Sequence, residues 1–301
     1  MRMIVPCAIG QSQIVSSNIL ENDYPEFATG VAYTQGDRVI VTAQHKVYEA
    51  LSDHTSDAGN APTVEGTTTW FVVGATNLHK PFDGFISDAA VNTASITYEI
   101  TPGSLCTAVA IFGANGHNVQ LVVNDPNDGE VFNQSIGLIS TSNVFDEYSY
   151  CFAPFVFETE ALFADLPPYQ AATFTLTVTS DADAQLGQLV IGEDIELGIT
   201  KTGTSVSFED YSQKERDTFG RAIIVERPFA DIAEFDFAFP AEKTRLIRDL
   251  VAAQRAKPTV YYTAADKIGY GTLVYGLTKP LNVVLTSHNI SDATLEVESL
   301  I

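Results

Sequence analysis

Positive charge is scarce in this chain. Sixteen Lys and Arg face 38 Asp and Glu across 301 residues, a net charge of −22. Residues 81–200 hold 16 acids and not one Lys or Arg. A stretch of that sign repels phosphate, which argues against nucleic-acid binding there. Cysteine is scarce as well: Cys7, Cys106 and Cys151 are odd in number, widely spaced and without a C-x-x-C pair. They read as reduced, half-buried thiols, so the fold is expected to stand without disulfides. No apolar run approaches the ~20 residues of a membrane helix, so no membrane insertion is expected. Met1 to Gly10 is too short for a secretory leader, which points to synthesis in a cytoplasm.

The usual motifs of catalysis are missing too. His45, His54, His79, His117 and His288 form no H-E-x-x-H, no H-x-H and no Cys/His zinc spacing. There is no G-x-S-x-G elbow and no Walker loop. Acid pairs such as Glu158/Glu160 and Asp181/Asp183 are expected by chance among 38 acids. A glycosidase needs two carboxylates converging at about 5–10 Å, which spacing along a chain cannot establish. The run Asn124–Gly129 places Pro126 where a calcium loop needs an oxygen and lacks a closing Glu, so it reads as a hairpin turn. The expectation is a protein without catalytic residues, metal or cofactor.

Strand signals are abundant. Residues 38–41, 94–100, 108–112, 119–123, 173–179 and 188–191 are short and rich in β-branched or aromatic side chains. Thr173 to Thr179 alternates polar and apolar at every step, the pattern of a strand with one wet face. Turn clusters at 101–104, 113–116, 124–129 and 180–183 separate these runs. Such spacing without a helical pattern predicts an antiparallel sandwich over roughly 85–200. One helix is predicted at Ala241 to Arg255, where Leu246, Ile247, Leu250 and Val251 make an apolar stripe. Pro240 precedes it and Pro258 stops it. Strands at 222–225, 259–262, 272–275, 282–285 and 294–297 flank it, so the last hundred residues read as a sheet with one packed helix.

Charge divides the chain in the same way. Residues 1–80 carry a net −4, residues 81–200 a net −16, and residues 201–301 a net −2 with 12 bases. The balanced final segment suits packing against protein partners. The expected organisation is mainly β: an irregular N-terminal arm over 1–25, a small three-stranded module over 26–75, an acidic sandwich over 80–200 and an assembly unit over 201–301. An apolar arm without a period of its own is expected to pack on another chain.

Residues 27–73 carry the most specific local pattern. Tyr33, Gly36, Asp37 and Val39 are followed by Tyr48, Ala50, Pro62 and Trp70. The arrangement resembles the short chitin- and cellulose-binding modules of bacterial glycosidases, over about 45 of 301 residues. Phe27 stands where that family usually has Trp. Sugars stack on exposed rings, so the resemblance makes Tyr33, Tyr48 and Trp70 the candidate carbohydrate-binding residues. The competing reading is that all three fill the core of a unit this small.

Most of the chain also looks similar to minor tail and baseplate proteins of tailed bacteriophages. The likeness rests on the opening arm Ile4–Gly10, on Val73–Asp83, Asp210–Lys214, Val225-Glu226-Arg227 and Val274–Leu277. The sandwich resembles galactose-binding-like jelly rolls, and the final unit resembles the tail-tube-like fold, which builds rings by pairing sheet edges. These resemblances imply a structural subunit of the virion tail, assembled in the host cytoplasm. It would join other tail proteins in a homo-oligomeric ring or tail tip and display its module to a host surface glycan. Two alternatives stand beside it: a receptor-binding adhesin for host polysaccharide, and an accessory protein of a glycan hydrolase.

Overall fold

The computed structural model describes residues 1–140, 144–216, 218–263 and 271–300. The chain is mainly β, with 49% strand and 8% helix. Its named strands pair antiparallel throughout. The expected class, mainly β with sandwich packing and one packed helix, is what is found.

A five-stranded sheet runs in the order 129–137, 118–125, 173–186, 90–100, 14–17. In its third strand Phe174, Leu176 and Val178 are buried while the threonines between them are half-exposed, so the alternation in sequence becomes one dry and one wet face. The hairpin turn expected at 124–129 joins two of these strands, and Asp125 Oδ1 accepts from the Asn127 and Asp128 amides.

This sheet packs on part of an eleven-stranded one. The main path of the larger sheet is 161–163, 108–112, 188–196, 2–6, 259–262, 274–278, 290–299, 229–240, 199–200. Strand Ala108–Phe112 is buried at every position because both faces of the sheet are covered there. Val109 and Ile111 enter the sandwich core, while Ala108, Ala110 and Phe112 join Ile4, Val260 and Tyr262 on the other side. Along the strand 188–196, Leu189 and Ile191 face the sandwich core and Ile195 packs in the helix core. Those odd positions share one face. The smaller sheet and the helix therefore lie side by side on the same face of one continuous sheet.

The helix Thr244–Ala253 follows a short 3-10 turn at Ala241–Lys243. Ile247 and Val251 are buried against Phe235, Phe237, Phe239 and Leu295, and Leu250 is partly buried there. Leu246, assigned to the same stripe from spacing, points to solvent instead. Four positions at helical spacing make a wider stripe than a single sheet face covers.

The N-terminal arm is where expectation and structure part. Arg2–Pro6 is a strand, not an irregular arm, and it lies between 188–196 and 259–262. Ile14–Ser17 forms the edge of the five-stranded sheet. Met3 and Ile4 are fully buried, one on each face of the large sheet. A strand covered on both faces carries no period-2 alternation, which is why its sequence showed none. The step from sandwich to final unit at residue 200 is also no break in the sheet, since 199–200 pairs with 229–240.

Side chains fasten the same seam. Arg2 reaches Asp165 at 2.9 Å and Asp194 at 2.8 Å, and Tyr262 donates to Asp194 at 2.7 Å. The Asp194 side chain is 1% exposed. Burial pushes its carboxyl above the ordinary range, opposed by the Tyr262 hydrogen bond and the Arg2 charge. At Gly192 a Cβ would meet the Val5 carbonyl oxygen at 2.0 Å, so only glycine lets the two strands approach this closely. Arg2→Ala would leave a buried carboxylate without its cation. The expected loss is about 3 kcal/mol or more in urea unfolding, against near-neutral Arg245→Ala on the exposed helix face.

Candidate functional site

The small module is a three-stranded sheet, 38–41, 46–50 and 70–75, with a two-stranded pair, 32–33 and 54–55. The polar loop from Ser52 to Thr68 folds back in part on the module. Ser56 is buried and donates to the Ala28 carbonyl at 2.7 Å, and Ala61 and Pro62 are buried beneath it.

Tyr33, Tyr48 and Trp70 all lie in the module core. Trp70 is only 4% exposed. Its ring meets Tyr33 at 5.0 Å, Phe27 at 5.8 Å and His54 at 5.0 Å between centroids, each close to edge-on. The Ala28 amide donates to the Tyr33 hydroxyl at 3.1 Å, and the Tyr48 hydroxyl donates to Gln44. None of the three offers a face to a sugar, so their assignment as stacking residues is corrected to a packing one. A module this small spends its large rings on its own core.

The strand beside Trp70 does present apolar groups outward. Phe71 is 60% exposed, with Val73 on the same strand also exposed. Phe71 pairs with Glu49, which forms an ion pair with Arg38 at 2.8 Å. Arg38 in turn lies over the half-buried Tyr24 ring at 5.8 Å and donates to its hydroxyl at 3.2 Å. Of its strand neighbours Trp70 is buried and Val72 is exposed, and the run Trp70–Val73 is apolar throughout, so no alternation in the sequence marked Phe71 as outward.

Two larger apolar surfaces project from the body. The first is the excursion over 139–157, which leaves the sandwich after the strand 129–137. The described part includes a short helix, Glu147–Phe152, capped by Asp146, whose carboxylate accepts from the Ser149 amide. Phe145 is 86% exposed, and Tyr148, Tyr150, Phe152 and Phe155 are comparably bare. Asp146, Glu147 and Glu158 lie along the same stretch of sequence, which holds no base.

The second is a long hairpin. Ser205–Asp210 pairs with the start of 229–240, and Gln213–Arg216 pairs with Ala222–Val225 beyond it. Every described residue of those three outer strands is exposed. Phe208, Ile223, Ile224, Val225 and Phe229 therefore stand in water. It carries both signs of charge: Lys214, Arg216, Arg221 and Arg227 stand among Glu209, Asp210, Glu215, Asp217 and Glu226.

One cleft, of about 740 Å³, is lined by Arg2 and Glu196 together with Thr200, Lys201, Thr202 and Thr204, and Glu196 is its one acidic residue among those described. A cleft of about 250 Å³ between sandwich and final unit holds Glu160 and Asp231 with Phe112 and Tyr275. Burial first, and then the charges of Asp231 and Glu158, push the Glu160 carboxyl up to about 7. Glu21, His45 and His79 form the one described group of three or more metal-ligating side chains. Burial first, and His45 second, hold the His79 imidazole below its ordinary range. Residues that distant give no motif, so spacing in the sequence missed them.

Comparison with known proteins finds nothing to lean on: no known family, curated protein or solved structure matches this chain.

Two measurements follow from this geometry. Trp70→Ala should lower stability by about 3–5 kcal/mol through the cavity it opens, while Phe71→Ala should leave the thermal midpoint unchanged. For Glu160, a folded-state value of about 7 against 4.5 means the folded protein holds its proton longer. Stability is then expected to fall as pH rises from about 4.5 through about 7, and Glu160→Gln should flatten that slope in thermal melts.

Proposed function

We propose that this chain is a structural subunit of a bacteriophage tail or baseplate, without catalytic activity of its own, that assembles with copies of itself. The observation that carries the reading is the run of large apolar side chains left in water on the hairpin 205–229 and the excursion 139–157. Soluble monomers rarely expose contiguous apolar patches of this kind, and such patches mark protein contacts. The two surfaces differ in charge. The excursion is acidic with no base, whereas the hairpin carries both signs, with Lys214, Arg216, Arg221 and Arg227 among five acids. A contact between the excursion of one copy and the hairpin of the next joins apolar to apolar, and of the two surfaces only the hairpin brings bases to it. Two different patches meeting in this way make a head-to-tail contact, which closes into a ring when the rotation permits. That is the arrangement implied by the resemblance of the final hundred residues to the tail-tube-like fold.

A second reading, a tail adhesin for host polysaccharide, is favoured by the outward Phe71 with Tyr24 and the Arg38–Glu49 pair. An exposed ring beside fixed polar groups is the surface a sugar needs. The two readings are compatible in one chain, with assembly through the hairpin and display through the module.

Light scattering on the purified chain tests the assembly. Multimers are expected for the wild type. The double variant Ile223→Asp, Ile224→Asp should be monomeric with an unchanged thermal midpoint. A wild-type chain that stays monomeric at every concentration, and is absent from purified phage particles, overturns the proposal.

A further inference from the structure

Glu21, His45 and His79 come from three separate stretches. Glu21 lies where the chain enters the small module, His45 in the turn between strands 38–41 and 46–50, and His79 just after the module's last strand. Their ligating atoms all lie within 4.8 Å of one another. His45 Nδ1 is 2.8 Å from Glu21 Oε1. The His45 and His79 rings are 4.0 Å apart between centroids. Gln11 Oε1, 2.9 Å from His79 Nε2, adds an amide oxygen at the edge of the cluster.

A carboxylate–imidazole hydrogen bond accounts for Glu21 and His45. It does not account for the second imidazole. Two imidazoles set side by side gain little from each other and repel when protonated. A shared cation supplies the missing attraction. Four-coordinate zinc with bonds of about 2.0–2.2 Å holds its ligand atoms about 3.3 Å apart. The span found here, from 2.8 Å to within 4.8 Å, brackets that figure. Two imidazole nitrogens and a carboxylate are a donor set for a first-row divalent ion, not for calcium or magnesium, which prefer oxygen alone.

The scaffold beneath the cluster is built around one buried residue. Thr76 is fully buried. Its amide donates to the His45 carbonyl at 3.0 Å, its hydroxyl donates to the Glu21 carboxylate, and its carbonyl accepts from the His79 amide at 2.7 Å. One threonine thus fixes the backbone or side chain of all three residues, the supporting contact that a metal site requires. His45 also adopts a left-handed backbone, with φ of 54°. The cluster remains reachable from solvent, since the Glu21 and His45 side chains are 15% and 26% exposed.

We propose that Glu21, His45 and His79 form a binding site for one zinc-class divalent transition ion that clips the entry and exit of the small module to its central hairpin. The ion would be structural. Its ligands leave room for a water or for Gln11 in the fourth position.

The test uses the full chain, stripped with chelator and then given Co²⁺ or Zn²⁺ alone. Co²⁺ should produce the visible absorption of a low-symmetry nitrogen/oxygen site at one equivalent per chain. Zn²⁺ should displace it and raise the thermal midpoint. His45→Asn, chosen because Asn tolerates the left-handed backbone, and His79→Gln should each remove the absorption and the midpoint shift, with unchanged circular dichroism. His117→Ala and His288→Ala should bind as the wild type does. Absence of any spectrum or shift in the folded wild type overturns the proposal. So does equal loss on His117→Ala or retained binding in the His45→Asn, His79→Gln double variant.

Discussion

Arg2–Pro6 hydrogen-bonds along both edges, to 188–196 on one side and to 259–262 on the other. Without it the large sheet would end at two bare edges, each bordering a different core. With it, the sandwich core and the helix core share one continuous sheet. The Arg2–Asp194–Tyr262 cluster fixes the seam chemically, because Asp194 and Tyr262 belong to the strands on either side. Burial makes this cluster sensitive: Asp194 Oδ1 and Arg2 Nε have no hydrogen-bond partner of their own, so the ion pair and the tyrosine hydroxyl carry the compensation. The bare approach of Gly192 to Val5 keeps the strand spacing that these contacts need.

Around this sheet the chain treats its aromatic residues in two opposite ways. Phe235, Phe237, Phe163, Phe174, Tyr98 and Tyr262 are among the largest fully buried groups. Phe145, Phe152, Phe155 and Phe208 stand in water. Most of the exposed set lies on two projections, each built from local pairing with little core of its own, and Phe71 and Phe85 are bare elsewhere. A hairpin that buries neither face is marginal in isolation, so contact with another surface would stabilise it. The small module lies between these extremes, with its rings turned inward and one phenylalanine outward.

Much of the fold was legible. The alternation of Thr173–Thr179 becomes a half-buried strand, and Pro240 and Pro258 bracket the helix. The unbroken apolar run Ala108–Phe112 becomes a strand covered on both sides. The candidate sites were less legible. Tyr33, Tyr48 and Trp70 match a binding pattern, yet the pattern does not say which side of a three-stranded sheet a ring occupies. Packing decided that, since with Phe27 and a few aliphatic side chains these three rings fill the module's centre.

The amino-acid sequence by itself determined the local conformations: where strands run, where turns break them, and where the one long helix lies. These depend on side-chain period and turn chemistry within about ten residues. Only the tertiary structure decided that Met3 would sit between Ile195 and Tyr261, or that Glu21, His45 and His79 would meet. The ladder bonds that bring such residues together use backbone groups common to every residue. Pairing across nearly two hundred positions therefore leaves no local signature, and global packing selects it.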